Sequence, residues 1–294
     1  MITPRHDKDG FFKYYTAESA KRTLMYTSRK WSTPLLFNDP FDNQFDLYFE
    51  SPNEDIAKEM RDWFLKIITS PDPIPRDRFG PLTPQVEVIR QIHQQHPDFQ
   101  YTDEELAYLL EGSAEGMEQV IKFAPEANEE IRRVMADTTI FCMSESHDNL
   151  LMWSHYAGNH TGAVIKFLSL PEVDSPLICA EPVRYSSQIP RLEFSEIMNG
   201  KMQQHIIKIV TLSKSEVWSY EKEWRIIAAL RDKTQSCEIL PYAPEEVGQV
   251  YLGCRISKED AEEIIGITRW KYPKATIFQA GKHDHEFRLV FKNI

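Results

Sequence analysis

With 294 residues and a formal net charge of −11, the chain can bury a substantial core but is too acidic to hold nucleic-acid backbone by bulk charge. Apolar residues make up 41% and aromatics 12%, as in ordinary soluble globular proteins. The polar first ten residues and the absence of a long apolar run predict neither a secretory leader nor a membrane span.

The four cysteines (Cys142, Cys179, Cys237, Cys254) are far apart and form no C-x-x-C pair, which excludes a zinc ribbon and a thioredoxin-type motif. Cys142 and Cys254 sit in apolar runs and read as small core residues. Together these features predict a reduced, cytoplasmic, soluble protein.

Phe11 to Tyr15 reads as an aromatic strand, followed by a brief helix over Ala17–Arg22 capped by Thr16. Thr23 to Ser28 alternates and predicts a second strand. The next loop holds Asn38-Asp39-Pro40, and Pro40 keeps Asp39 out of the helical region. The side chains of Asn38, Asp39 and Asp42 can then bond local backbone or face a ligand, with Phe41 and Phe45 pinning the loop to the core.

Pro52 to Ala136 differs in character. Ile56, Met60, Trp63, Phe64 and Ile67 recur at helical spacing, as do Leu106 to Ile121, with a short helix between them at Val86, Ile89 and Ile92. This section predicts a helical insertion, at about 52–136, in a core formed by 11–50 and 137–294. The fold expected is a single α+β domain with a mixed, mainly antiparallel sheet and flanking helices.

Thr138–Ser144 opens the second half as a strand, Asn149–Ala157 suits a short helix, and Gly162–Phe167 is a buried strand. Ser195 opens a helix whose apolar residues, Met202 to Val210, must pack on the sheet. Ser257 and Asp260 make a capping box, and the closing strands are Ala275–Gln279 and Phe287–Phe291. His283-Asp284-His285-Glu286 resembles a metal-ligand run but follows Gly281-Lys282, so a polar hairpin turn is the better reading.

The densest chemistry lies in Trp218 to Ile227, read as one strand. Period two puts Glu221, Glu223 and Arg225 on one face, turned to solvent or a cleft, opposite Tyr220, Trp224 and Ile226. Such a row can bind a cation, a ribose or a developing positive charge, or it can be an ordinary surface ladder. His155, at the start of its helix, is a candidate acid, base or substrate contact, or a hydrogen-bonded structural histidine. No metal-ligand spacing, Gly-rich phosphate loop or nucleophile elbow accompanies these residues.

The blocks Phe12-Lys13-Tyr14, Phe37-Asn38-Asp39-Pro40-Phe41-Asp42, Phe141 to Ser144, Met152-Trp153-Ser154-His155-Tyr156 and Glu221 to Arg225 resemble one bacterial family. It is catalogued as a domain of unknown function (family 2971). A more distant resemblance, in the order Lys13-Tyr14, Thr27-Ser28 and Glu221-Lys222-Glu223, is to the ADP-ribosyltransferase layout.

That second resemblance implies NAD as substrate, with no metal or cofactor required, and such an activity would suit a bacterial defence or toxin component. Glu223 would hold the nicotinamide ribose, Glu221 would activate an acceptor, and Tyr14 would stack on nicotinamide. The cleft would draw on Lys13, Tyr14, Asn38, Asp39, Asp42, His155, Trp153, Tyr156 and Arg225. The expected partner is a small nucleotide or a protein acceptor. Two rivals stay open: a non-catalytic nucleotide- or protein-binding module, and a metal-dependent hydrolase using Asp39, Asp42, His155 and Glu223.

Overall fold

A computed structural model describes residues 5–48, 62, 64–72, 83–97, 102, 105, 128–129, 131–191 and 202–294. The chain divides into two compact units: Met1–Gln44, Val134–Gln188 and Thr211–Ile294 form the first, and Phe45–Arg133 with Ile189–Val210 the second.

The first unit is built on a ten-stranded, mixed and mostly antiparallel sheet, so the fold class is α+β. Its strands are β1 (Gly10–Tyr15), β2 (Ser28–Ser32), β3 (Thr138–Ser144), β4 (Ala163–Leu168), β5 (Glu181–Pro182), β8 (Glu223–Ala229), β9 (Cys237–Pro241), β10 (Val247–Leu252), β11 (Thr276–Lys282) and β12 (Leu289–Asn293). A separate parallel pair joins β6 (Arg184–Ser186) to β7 (Ser213–Ser215).

The main order is β12-β11-β10-β4-β1-β3-β2-β9, with β8 on β3 and β5 on β8. β1 pairs with β4 from Gly10↔Leu168 to Tyr15↔Ala163, and β3 with β8 from Thr138↔Ala229 to Ser144↔Glu223. Along its other edge β3 meets β1 only at Phe12↔Ser144 and β2 only at Ser32↔Ile140. The sheet therefore forks at β3. Between those two contacts the Cys142 carbonyl accepts a hydrogen bond from Lys13 Nζ at 2.5 Å.

Alternation along the strands gives the sheet two buried faces. Phe11, Tyr15, Ile165, Phe167, Val250 and Leu252 face one core, closed by helices α1 (Ala17–Tyr26) and, C-terminal to β10, Lys258–Lys271. Tyr14, Val164 and Tyr251 face the other, beneath the helix Leu150–Tyr156. Thr16 caps α1 by accepting from Ser19 N, and Ser257 caps the Lys258 helix by accepting from Asp260 N.

α1 continues four residues past the expected stop. Ala20, Thr23 and Leu24 are buried at helical rather than strand spacing, and Thr27 ends the helix in the left-handed region at φ 49°. The expected strand at Thr23–Ser28 is thus mostly helix, and the strand begins at Ser28.

In the second unit, helix α2 (Thr83–Gln95) forms where Val86, Ile89 and Ile92 place it. Asn128 exchanges both its amide bonds with the Leu47 backbone, at 2.8 and 3.0 Å. The helices Leu150–Tyr156, Met202–Thr211 and Lys258–Lys271 are hereafter α3, α4 and α5. The residues of α4 up to Val210 belong to the second unit. Ile56, Met60, Trp63, Leu106 to Ile121 and the Ser195 helix start lie outside the described residues. Among the described residues no helix is long and apolar enough to cross a membrane, and the four cysteines are free.

Candidate functional site

At the fork of the sheet lies a cavity of about 460 Å³, lined by Phe12, Lys13 and Tyr14 from β1, Cys142 to Ser144 from β3, and Leu36 to Asn38 and Asp42 from the segment after β2. Met152, His155 and Tyr156 reach it from α3, Lys214 from β7, Glu221 from the turn before β8, and Glu223 from the first position of β8. Its size is that of small-molecule pockets.

The ten residues read as one strand are two structures. Glu216–Glu221 is a 3₁₀ helix, Lys222 sits at φ 44°, and β8 begins only at Glu223. Glu221 therefore does not continue the strand alternation. It reaches the same place from the end of a turn, and none of the three charged side chains faces solvent: Glu221, Glu223 and Arg225 are all buried.

Their charges are met from far along the chain. Arg225 donates to Glu223 through Nε at 2.9 Å and grips both Asp42 carboxylate oxygens at 2.9 and 2.7 Å. Lys214 donates to Glu221 at 2.6 Å and Glu223 at 3.0 Å, and lies 3.4 Å from Asp42. Tyr156 donates its hydroxyl to the other Glu221 oxygen at 2.6 Å, and the Asn38 side chain bonds Tyr156 in turn. Glu223's amide donates to Tyr185 Oη at 2.8 Å.

Three carboxylates thus share two cations, and the cluster carries one uncompensated negative charge when all are ionised. The two glutamates respond in opposite directions. Burial, followed by the charge of Glu223, raises the Glu221 carboxyl above its usual range. Burial also works against the Glu223 charge, but Arg225 and Lys214 outweigh it and hold Glu223 well below that range. Burial works against the Lys214 charge, but Glu223, Asp42 and Glu221 around it outweigh that and hold the ammonium above the usual lysine range.

The other sequence candidates divide. His155 is exposed on the cavity rim near the end of α3, not its start, against the rings of Tyr156 and Trp218. Tyr14 lines the cavity and donates to the Ser146 carbonyl at 2.9 Å. Trp153 does not line it: its side chain is 0% exposed, and its indole donates to the His147 carbonyl at 2.7 Å. Asp39 does not line it either, because one carboxylate oxygen caps the Phe41 amide at 2.9 Å. Arg225 lies behind the wall rather than in it. Phe41, expected to anchor the loop, is 62% exposed.

Lys214 escaped the sequence reading, since a lone lysine in Ser213-Lys214-Ser215 carries no periodic signal. Cys142 and Cys254 are both half-buried, and Cys254 packs against the core beneath α3. Cys142 lines the cavity and its thiol bonds Glu223. His283 and His285 stand in the β11–β12 turn, as the hairpin reading predicts. Among the described residues no three His, Cys, Asp or Glu side chains are placed to hold a metal ion, so the ligand set of the hydrolase reading does not assemble there.

No curated protein and no solved structure matches the chain. A family model does match, over residues 152–226, the stretch that supplies His155, Tyr156, Lys214, Glu221, Glu223 and Arg225 to the cavity and its wall. Its description is protein of unknown function (DUF2971), and the match supports the resemblance to that family over this segment.

Proposed function

We propose that the protein consumes NAD, breaking the bond between nicotinamide and ribose and passing the ribosyl group to water or another acceptor. One observation carries the reading: Glu221 and Glu223 line one cavity, share Lys214, and are driven in opposite protonation directions. Paired carboxyl groups with separated tendencies suit the two tasks of glycosyl transfer.

In this scheme the C1′–N bond breaks and its electron pair leaves with nicotinamide, neutralising the pyridinium. The excess negative charge of the wall, fixed in a dry setting, favours the oxocarbenium-like ribose that develops. Water or an acceptor hydroxyl then bonds to C1′, and its proton passes to Glu221, whose raised basicity fits it for that step. Lys13 offers an ammonium to the pyrophosphate, and the rings of Phe12, Tyr14 and Phe37 offer faces for nicotinamide. His155 on the rim would meet the acceptor. On this reading the protein works in the bacterial cytoplasm, in defence or toxicity.

The test is nicotinamide release from NAD by wild type and Glu221→Gln, with lysate supplied as acceptor. A loss of about a hundredfold in a variant that melts like wild type supports the reading. Absence of release by the wild type rejects it.

A second reading rests on a different observation. Both Glu223 oxygens are already taken, by Arg225 and Lys214, as in a structural ion network. The protein would then be a nucleotide-binding module, which holds NAD without turnover and keeps its affinity within a few-fold in Glu221→Gln.

A further inference from the structure

A second cavity, of about 600 Å³, opens in the first unit where the β11–β12 turn faces the loop after β10. β10 and β11 are parallel and joined through α5, so this cavity stands at the carboxyl ends of a βαβ unit. Pockets in open sheets gather at that edge.

Its charge runs against that of the whole chain. Arg255, Lys282 and Arg288 line it together with Asp284 and Glu286, a local excess of one positive charge in a protein of net −11. Arg288 is tied to Glu286. Arg255 and Lys282 have no carboxylate partner among the described residues, and both are exposed.

His160 completes the wall in an unusual state. Gly158, Asn159 and His160 are three consecutive residues in the left-handed region, at φ 57°, 55° and 70°. Such a conformation costs free energy in a non-glycine residue and persists only where the surroundings impose it. Here they do: the His160 amide donates to the Trp153 carbonyl at 3.2 Å, and its own carbonyl accepts from the Arg255 amide at 3.0 Å. The imidazole stacks on Trp153 and bonds Ser154 Oγ through Nε2 at 3.2 Å. Its Nδ1 is shielded from water and has no partner among the described residues. An unmet buried nitrogen beside two unpaired cations is an incomplete constellation.

We propose that this cavity binds the phosphate group of a small anionic ligand, with Arg255 and Lys282 as its cations and the His160 ring in the wall beside them. A phosphate oxygen takes charge-assisted bonds from the first two, and its charge favours the protonated form of the His160 ring. Phe287, fully exposed at the tip of the turn, is placed to stack on a nucleobase attached to that phosphate.

The test uses wild type and Arg255→Ala/Lys282→Ala, both exposed positions whose loss leaves the fold intact. Binding of inorganic phosphate, AMP and adenosine is followed by calorimetry, and the His160 ring by NMR. His160 is held below the usual histidine range by burial and then by Arg255 and Lys282. A bound anion offsets both cations and moves its titration upward.

The expected result is that AMP or phosphate binds, weakens at least about tenfold in the double variant, fades with salt, and shifts His160 upward. AMP tighter than phosphate assigns a phosphorylated nucleoside, and equal affinities assign the free oxyanion. No binding, binding undiminished in the double variant, or adenosine equal to AMP overturns the proposal.

Discussion

Two buried guanidinium–carboxylate sites in the first unit make an instructive pair. Arg29 and Glu246 meet at 2.9 Å, each about 1% exposed, with Ser175 Oγ and the Ala243 amide completing the carboxylate. Phe141, Phe167 and Tyr242 box the guanidinium at 5.0 to 5.4 Å. One cation meets one anion, and neither residue lines the fork cavity. At the fork, two cations face three acids, and both glutamates line open space. The first arrangement satisfies charge. The second leaves charge over, and leftover charge facing a cavity is what a ligand or a transition state can use.

The largest effect should come from Arg225→Met, which strands Glu223 and Asp42 together. We expect a loss of about 5 kcal/mol in urea denaturation, and no nicotinamide release from whatever remains folded. Adding Glu223→Leu should not restore stability, because Asp42 still lacks its bidentate partner. Such a restoration would make the fork cluster as simple as the closed pair.

Arg29→Met should cost about 3–5 kcal/mol. Arg29→Met with Glu246→Leu should recover most of it, since replacing a whole buried pair by apolar groups is often neutral. A double variant no better than the single would show that the closed pair also has obligations beyond charge balance.

Acidification separates the two glutamates. The folded-state pKa of Glu223 lies below its ordinary 4.5, so its stabilisation is complete above that pH and is lost as pH falls through the lower folded value. Glu221 is raised above 4.5, so its contribution is present below that pH and is lost as pH rises through the raised value. Denaturation between about pH 3 and pH 8 should show the Glu223→Gln penalty shrinking toward acid. Glu221→Gln should gain on wild type toward neutral pH. Parallel curves would erase the distinction between the two carboxylates.

The smallest effect is expected at Lys222, left-handed at φ 44°. Lys222→Gly should stabilise by up to about 1 kcal/mol and leave nicotinamide release unchanged. Altered activity would mean that the side chain, and not the turn alone, matters to the site.

Local chemistry made much of this legible in advance. Alternating aromatics in β1, the Thr16 and Ser257 caps and the polar turn before β12 are decided by neighbours a few residues apart. Asp42, Tyr156, Glu221 and Glu223 were legible as polar groups set among aromatics, and all line the cavity. Lys214 was not, because only the β6–β7 pairing and the Lys222 turn carry it to the glutamates. Thr23 to Tyr26 misled because four residues satisfy both periods, and the packing of α1 on α5 decided for the helix.

The fork at β3 has a consequence for how such a pocket changes over generations. Its wall is made of strands whose far edges stay fully laddered, β1 on β4 and β3 on β8, so the backbone frame does not depend on what fills the gap. Side chains that face the gap can be exchanged one by one without redrawing a loop. Such a frame can keep its backbone while what it holds changes.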